Sequence, residues 1–362
     1  MDAIFDLDLS SIRESNKELV RLDKLANKGI EAIELVSNLH SIIEKYGISQ
    51  PLMEAADHKC ELVQLQCFPS YESLGFTLTK DTVALESLEK VKEILSNLWE
   101  KFLDILRKIG ETIKRWVSAI INFFKPAKIA VKEMKEKVAR HNLNSQESAN
   151  GSFRIPDDVI VKSLHATDFD KTHKLTANIL NTFSNDPNLK EPLAIHGEAF
   201  DHRSKNLVQT IFKVSTNELK EVLGIGLSVD GSNRWSIQHY SEGAAIETDK
   251  FANLGWTSNL VEDALGKAED AITISEKTDN QMSLLVKRYD ELMKYIKDEL
   301  RTVSKKNEDQ LQESHSAIVR LRTILSFIQT LIQRSLKGIQ KLTVSSLSLG
   351  KAVLMSNRQR FA

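Results

Sequence analysis

Residues 10–46 have apolar side chains at the spacing of one helix face. Leucine, isoleucine and valine recur at three- and four-residue steps from Leu19 to Ile43, with polar residues between them. A serine at the start can cap a helix, and Gly47 ends the pattern. This segment therefore predicts one or two helices.

The strongest apolar pattern of the chain runs from Leu85 to Phe124. Its apolar residues form one stripe, and charged residues fill the opposite face, so it predicts a long amphipathic helix of roughly 60 Å. Pro126 is expected to break or kink this helix, with a further helix to about His141. Between Pro69 and Thr82, apolar and polar residues alternate and turn-forming residues occur, a pattern that predicts an extended segment and not a helix.

The middle of the chain has the weakest helical pattern. Residues 142–152 are polar and typical of a linker, and helices are expected near Lys171–Phe183 and over Lys205–Val214 or further. Two short β-branched and aromatic runs flank Asp230-Gly231, a sequence that favours a hairpin. The pattern predicts a small α+β domain.

The last hundred residues return to helical spacing. One apolar stripe ends at Val303, a polar interval covers 304–313, and a second stripe starts at Ile318. Two long antiparallel helices, or a helix folding back on a bundle, account for this order. The predicted fold is mainly α, with long amphipathic helices in a bundle and a small central α+β domain. Four regions are expected: 1–86, 87–141, 142–253 and 254–362.

The charge of the chain changes sign at Glu86. Residues 1–86 have eight Lys/Arg and fifteen Asp/Glu, a net charge of −7, whereas residues 87–141 have thirteen and seven, a net charge of +6. From Ser314 onwards there is no acidic residue. This acid-free end could neutralise phosphate, or it could be a solvated helix face. Its basic residues are Arg320, Arg322, Arg334, Lys337, Lys341, Lys351, Arg358 and Arg360.

Large aromatic side chains lie on or beside the stripe of the long amphipathic helix, with basic residues around them. This composition suits a membrane interface, but a helix that buries the same stripe in a bundle has the same periodicity. Both alternatives remain open from the sequence. The residues concerned are Trp99, Phe102, Trp116, Phe123 and Phe124.

No motif gives a specific reason to propose catalysis, and no cofactor is expected. Phosphate-loop, dinucleotide, zinc-protease and serine-hydrolase motifs are all absent from the sequence. Two cysteines, Cys60 and Cys67, are expected to be reduced. A group of histidines and aspartates in the central region lacks metal-ligand spacing, so no metal site is predicted; its members are His165, His173, His196, His202, Asp168, Asp170 and Asp201.

An order of features between residues 45 and 125 resembles the internal head proteins of large tailed bacteriophages. An acidic helical start is followed by an extended PSYESLGFTLT segment, then by Ala84-Leu85-Glu86 and a basic amphipathic helix. The resemblance implies a non-enzymatic protein that is packed inside the prohead, trimmed by the prohead protease and, in some cases, ejected with the genome. It implies that the protein is in the host cytoplasm before assembly and inside the capsid afterwards.

The protease of that family cuts after Glu with a small or apolar residue two positions earlier. The resemblance therefore implies cleavage between Glu86 and Ser87, with Ala84 and Leu85 before the cut. Ser70-Tyr71-Glu72 and Ala245-Ile246-Glu247 also fit this pattern. Removing residues 1–86 would leave 41 basic and 35 acidic residues, a net charge of +6.

The partners expected from the resemblance are the prohead protease, capsid or scaffold core proteins, packaged DNA and the host membrane. The competing hypothesis is a membrane-active protein in which helix 88–124 leaves its bundle and inserts.

Overall fold

The computed structural model of this chain describes residues 10–46, 58, 80–142, 166–186, 212–229, 235–240, 258–302 and 308–360. Seven helices, a π-helical turn and one hairpin make up this part of the chain. In order they are α1 (Ser10–Tyr46), α2 (Lys80–Asn142), α3 (Ala166–Asn185), α4 (Thr216–Glu218), the turn Leu219–Leu223, β1 (Ile225–Val229), β2 (Trp235–His239), α5 (Ser258–Glu276), α6 (Thr278–Thr302) and α7 (Glu308–Arg360). The prediction of a mainly α fold is confirmed.

Helices α2 and α7 lie at the centre of the bundle. α2 contacts α1, α5, α6 and α7, while α7 also contacts α3 and β2. Buried apolar side chains from all of these helices, together with Val214 and Ile225, belong to one hydrophobic core. The central segment therefore packs, where it is described, into the same core as the long helices.

α1 is a single helix that packs along α2. A Cβ at Gly29 would lie 3.4 Å from Cδ2 of Phe102, so the Phe102 ring packs directly against α1 at this glycine. Glu18, at the other end of α1, lies near Arg115 and Lys108. The two helices are therefore antiparallel, and α1 is fixed to the body of the protein by its apolar face.

α2 differs from its prediction at both ends. It begins at Lys80, five residues before the predicted start, so residues 80–82 are helical and the extended assignment is wrong there. The rest of the predicted extended segment lies outside the described residues.

Pro126 does not end α2, which continues to Asn142. Phe123 and Phe124 before the proline are buried, and Ala127 and Val131 after it are buried in the same core. Packing of both halves thus offsets the local cost of proline, about 3 kcal/mol in a helix interior.

The hairpin confirms the prediction around Asp230-Gly231. β1 pairs with β2 in antiparallel register, with Ile225 opposite His239 and Val229 opposite Trp235. Gly224, between the π-helical turn and β1, has a φ of 64°, a backbone conformation that glycine adopts readily.

Of the two helices predicted on the N-terminal side of the hairpin, one is confirmed and the other is wrong where it is described. α3 contains the helix expected at Lys171–Phe183. The helix expected over Lys205–Val214 is wrong for residues 212–214, which are not helical, and residues 205–211 lie outside the described part. Ser215 instead caps α4: its Oγ accepts from the backbone N–H of Glu218 at 3.2 Å, and its own backbone N–H donates to the Glu218 carboxylate at 2.9 Å, a capping box that sets the helix start at Thr216.

The region after residue 254 contains three described helices rather than two. A break at Lys277 separates α5 from α6. Ser275 Oγ donates to the carbonyl of Ile272 at 2.6 Å, and Thr278 Oγ1 donates to that of Ser275. Such side-chain bonds compete with the helix backbone, which explains a break that the apolar spacing did not reveal.

Candidate functional site: a polar cleft between the first and last helices

A cleft of about 700 Å³ separates α1 from α7. Most of the residues that line it are polar or charged. From α1 the lining residues are Asn16, Leu19, Val20, Asp23, Lys24 and Asn27. From β2 and α7 they are Ile237, Arg322, Thr323, Ser326, Gln329, Thr330, Gln333, Arg334 and Lys337.

Arg322 is the most buried charge in this cleft, with only 5% of its side chain exposed. Its Nη2 lies 2.7 Å from Oδ1 of Asp23 and 3.1 Å from the Asp23 carbonyl, and its Nη1 donates to Oδ1 of Asn27. A buried guanidinium requires such partners because its desolvation is costly. α1 supplies all three acceptors.

Ser326 completes the arrangement around Asp23. Its Oγ donates to the same Asp23 Oδ1 at 2.9 Å, one helical turn after Arg322. The carboxylate of Asp23 is 35% exposed and therefore reaches the cleft. One oxygen of α1 thus accepts two hydrogen bonds from α7.

Tyr289 of α6 lies behind this pair. Its hydroxyl donates to Oε1 of Gln329 at 2.7 Å. Burial raises the pKa of Tyr289 above its ordinary value, and the nearby Asp23 carboxylate raises it further, while Arg322 acts in the opposite direction. The phenol is therefore held neutral and fixes the Gln329 amide at the cleft wall.

Three of the eight basic residues predicted to meet phosphate line this cleft: Arg322, Arg334 and Lys337. Lys341 is exposed on α7, while Arg320 and Lys351 are half-buried. Arg358 and Arg360 belong to α7, but their side chains lie outside the described part. Phosphate contact by these residues stays a prediction.

The sequence did not point to Asp23, Asn27 or Ser326. Each is an ordinary polar position on an amphipathic helix, and only the tertiary structure brings α1 to residues about 300 positions later. The absence of acidic residues after Ser314 was the one available signal, since it predicts that those cations find their partners elsewhere.

The five aromatic residues of the α2 stripe are all buried in the core. Trp99 and Phe102 pack edge to face with ring centroids 6.1 Å apart, and Phe123 and Phe124 do so at 5.2 Å. Trp116 is also buried. None of the helices in the described part of the chain has the length and hydropathy that a bilayer crossing requires. Contact of these side chains with a membrane would require α2 to leave the bundle.

The expected cleavage-site residues, Ala84 to Ser87, lie in the first turns of α2. They are therefore part of a helix instead of the end of an extended segment. Cleavage there stays a prediction.

The histidine and aspartate group is not assembled into a metal site where it is described. His173 Nε2 lies 2.8 Å from Oδ2 of Asp270, and Asp170 pairs with Lys174. No three candidate ligands come together among the described residues. Outside them lie His165, His196, His202, Asp201, Cys60 and Cys67.

The described part of the chain is a mainly helical bundle with a polar cleft. No metal centre is assembled among the described residues. A family model of phiKZ-like phage internal head proteins matches residues 14–202, and the chain belongs to that family. The matched segment includes α2, α3 and all but the first four residues of α1, so the resemblance between residues 45 and 125 is confirmed. No curated protein and no solved structure matches the chain.

The α1–α7 cleft joins a helix inside the matched segment to a helix beyond it. Asp23 and Asn27 fall within residues 14–202, whereas Arg322 and Ser326 do not. Membership in the family accordingly describes a protein of the phage head interior, and it does not by itself explain the cleft.

Proposed function

We propose that this chain is a non-enzymatic internal head protein that is packaged in the prohead with residues 1–86 as an acidic leader. The prohead protease then cuts between Glu86 and Ser87. Family membership together with the charge reversal at this position, from −7 to +6, carries the proposal. The protein would be made in the host cytoplasm and would meet capsid or scaffold core proteins during assembly.

Two acidic side chains of the leader lie next to basic side chains of the body. Its Asp23 pairs with Arg322 of α7. The pKa of Glu18 is lowered, chiefly by its hydrogen bond with Arg21, and Arg115 and Lys108 of α2 add to the effect. Residues 10–46 themselves have six basic and six acidic side chains, so the net charge of −7 comes from residues 1–9 and 47–86. We expect this acidic leader as a whole to suppress contact with DNA before processing, and its loss to favour packaged DNA.

The helical position of Glu86 sets a condition on the cut. Proteases act on exposed, locally opened chain, and Glu86 is the seventh residue of α2. Helix ends fray, so opening the first two turns of α2 is enough to present the bond. This condition favours Glu86 over a glutamate in the interior of a long helix.

Co-expression with the prohead protease, followed by N-terminal sequencing, tests the cut. A new N-terminus at Ser87 is expected. Glu86→Gln should abolish the product, while Glu72→Gln and Glu247→Gln, at the other two matching tripeptides, should leave it unchanged. An uncut wild-type chain, or cuts scattered over other glutamates, would refute the proposed processing.

The last step of the proposed function is ejection of the processed protein together with the DNA. Binding of the processed chain to DNA that weakens as salt is added would support this step. The competing membrane activity needs α2 to expose residues that are now in the core. Leakage of liposomes that is abolished by Trp99→Ala and Trp116→Ala would favour that activity over DNA binding.

A further inference from the structure

A polar stripe runs along the side of α7 that faces α1. Polar and charged residues recur there at three- and four-residue steps from Arg322 to Lys337, a length of roughly 22 Å. A helix face that lies against another helix is normally apolar. Packing alone therefore does not account for the composition of this stripe.

The stripe already holds an anion at one end. Asp23 Oδ1 accepts from Arg322 Nη2 at 2.7 Å and from Ser326 Oγ at 2.9 Å. A guanidinium and a hydroxyl that converge on one oxygen are equally suited to a phosphate oxygen. Gln333 lies two turns further along the cleft, and its buried Nε2 donates no hydrogen bond within the described part of the chain.

We propose that Arg322 and Ser326 form a phosphate-binding site that α1 occupies with the Asp23 carboxylate. The leader acts as an internal substitute for the ligand, so the site is closed while α1 is docked. The natural ligand is a backbone phosphate of packaged DNA, which reaches the stripe after the leader departs; this last step rests on the proposed cleavage after Glu86.

Inorganic phosphate and the full chain test the site without any cleavage. In Asp23→Ala the cleft is open to a small anion, and the competing carboxylate is gone. Affinity for phosphate, measured by calorimetry at constant ionic strength, should rise by roughly tenfold or more over wild type. The same variant should show a phosphate-dependent rise in Tm.

Glu18→Ala is the matched control. Glu18 lies on the same helix and its removal changes the net charge equally, but its ion pair is with Arg21 on the surface. Phosphate affinity should stay at the wild-type level. An equal gain in both variants would reduce the effect to bulk charge and overturn the proposal, and so would no gain in Asp23→Ala.

Two further variants locate the site and guard against unfolding. Adding Ser326→Ala to Asp23→Ala should reverse most of the gain, and full retention would exclude Ser326 from the site. If Asp23→Ala does not fold, Asp23→Asn keeps the side-chain shape and should still bind phosphate more tightly than Glu18→Gln. Equal binding by these two variants would also overturn the proposal.

Duplex DNA and the protease-cut chain, diluted until the leader has separated from the body, test the natural ligand. Arg322→Gln should lower the salt dependence of DNA binding by about one phosphate contact in the cut chain, and should change nothing in the uncut chain. Lys341→Gln removes an exposed cation of the same helix and should have the same effect in both. Binding of the cut chain to phosphatidylglycerol vesicles but not to duplex would exclude DNA as the ligand. If no cut occurs, the proposed function fails while the phosphate experiment still decides the site.

Discussion

At the scale of single residues, two glycines in helices differ in their surroundings: one is crowded by a neighbouring side chain and the other has room for a methyl group. A Cβ at Gly350 of α7 would collide with Cγ of Met134 and lie 2.9 Å from its Sδ. At Gly110 of α2 a Cβ would have no neighbouring atom within 4 Å. Replacing glycine by alanine should therefore lower the stability of the fold at one position and raise it at the other.

Gly350→Ala is expected to destabilise the fold by about 1–3 kcal/mol, because the added methyl overpacks the contact between α7 and α2. Gly110→Ala should stabilise it by about 0.5–1 kcal/mol, because alanine lowers the backbone entropy that folding loses. Urea unfolding of both variants beside wild type measures the difference. Destabilisation by Gly110→Ala would show that the space beside α2 is not open.

Tyr289 is expected to make the fold less stable at alkaline pH. Its pKa is raised by burial, and partial burial beside Glu299 raises the pKa of Tyr295 to about 12. Since both folded-state pKa values exceed the ordinary 10, the neutral phenols stabilise the fold fully below pH 10. That contribution is lost as the pH rises from 10 through the raised values.

The free energy of unfolding should consequently fall above pH 10, and less steeply in Tyr289→Phe than in wild type. Near neutral pH this variant should be less stable by about 0.5–1.5 kcal/mol, because Gln329 loses its hydrogen bond. Urea titrations at a series of pH values separate the two effects. An unchanged pH slope in Tyr289→Phe would show that another group causes the alkaline loss.

At the scale of elements, Pro126 is a local defect in the longest helix. It is exposed, lacks an N–H for the Asn122 carbonyl, and is tolerated because both halves of α2 are packed in the core. Pro126→Ala should raise stability by up to about 3 kcal/mol. Lys125→Ala, at the exposed position beside it, should change stability by less than about 0.5 kcal/mol, and a similar gain there would rule out the backbone explanation.

The helices were largely predictable because apolar spacing reports which face is buried. The stripe from Leu85 to Phe124 and the run from Leu19 to Ile43 each appear as one helix. The boundaries were harder to predict, since Pro126 is held by distant packing and the break at Lys277 depends on side-chain bonds to the backbone. The cleft was predictable only as unbalanced positive charge: Arg322 was a candidate, whereas its partners on α1 depend on tertiary contact.

At the scale of the whole molecule, opposite charges of the two ends cancel internally. The net charge of −1 hides an acidic segment, residues 1–86, whose docked helix α1 has equal numbers of basic and acidic residues. α1 also contributes buried residues such as Leu22, Ile33 and Val36 to the common core. A cut after Glu86 should therefore leave the leader associated with the body until dilution or denaturant separates the pieces.

This association can be measured from the concentration dependence of unfolding. After cleavage, docking of the leader becomes bimolecular, so the urea midpoint should rise with protein concentration. The uncut chain should show no such dependence. A concentration-independent midpoint in the cut protein, with the leader absent from the body in size-exclusion chromatography, would show that α1 leaves at once.

The pair of Asp23 and Arg322 also fixes an order in time, because 299 residues separate them. At ribosomal rates of about 5–20 residues per second, roughly 15–60 s pass between the synthesis of one and of the other. During that interval α1 and α2 can pair, but the buried guanidinium that Asp23 will receive has not been translated. α7, the last of the described helices to leave the ribosome, is the one that completes the core, so the nascent chain closes from its C-terminal side.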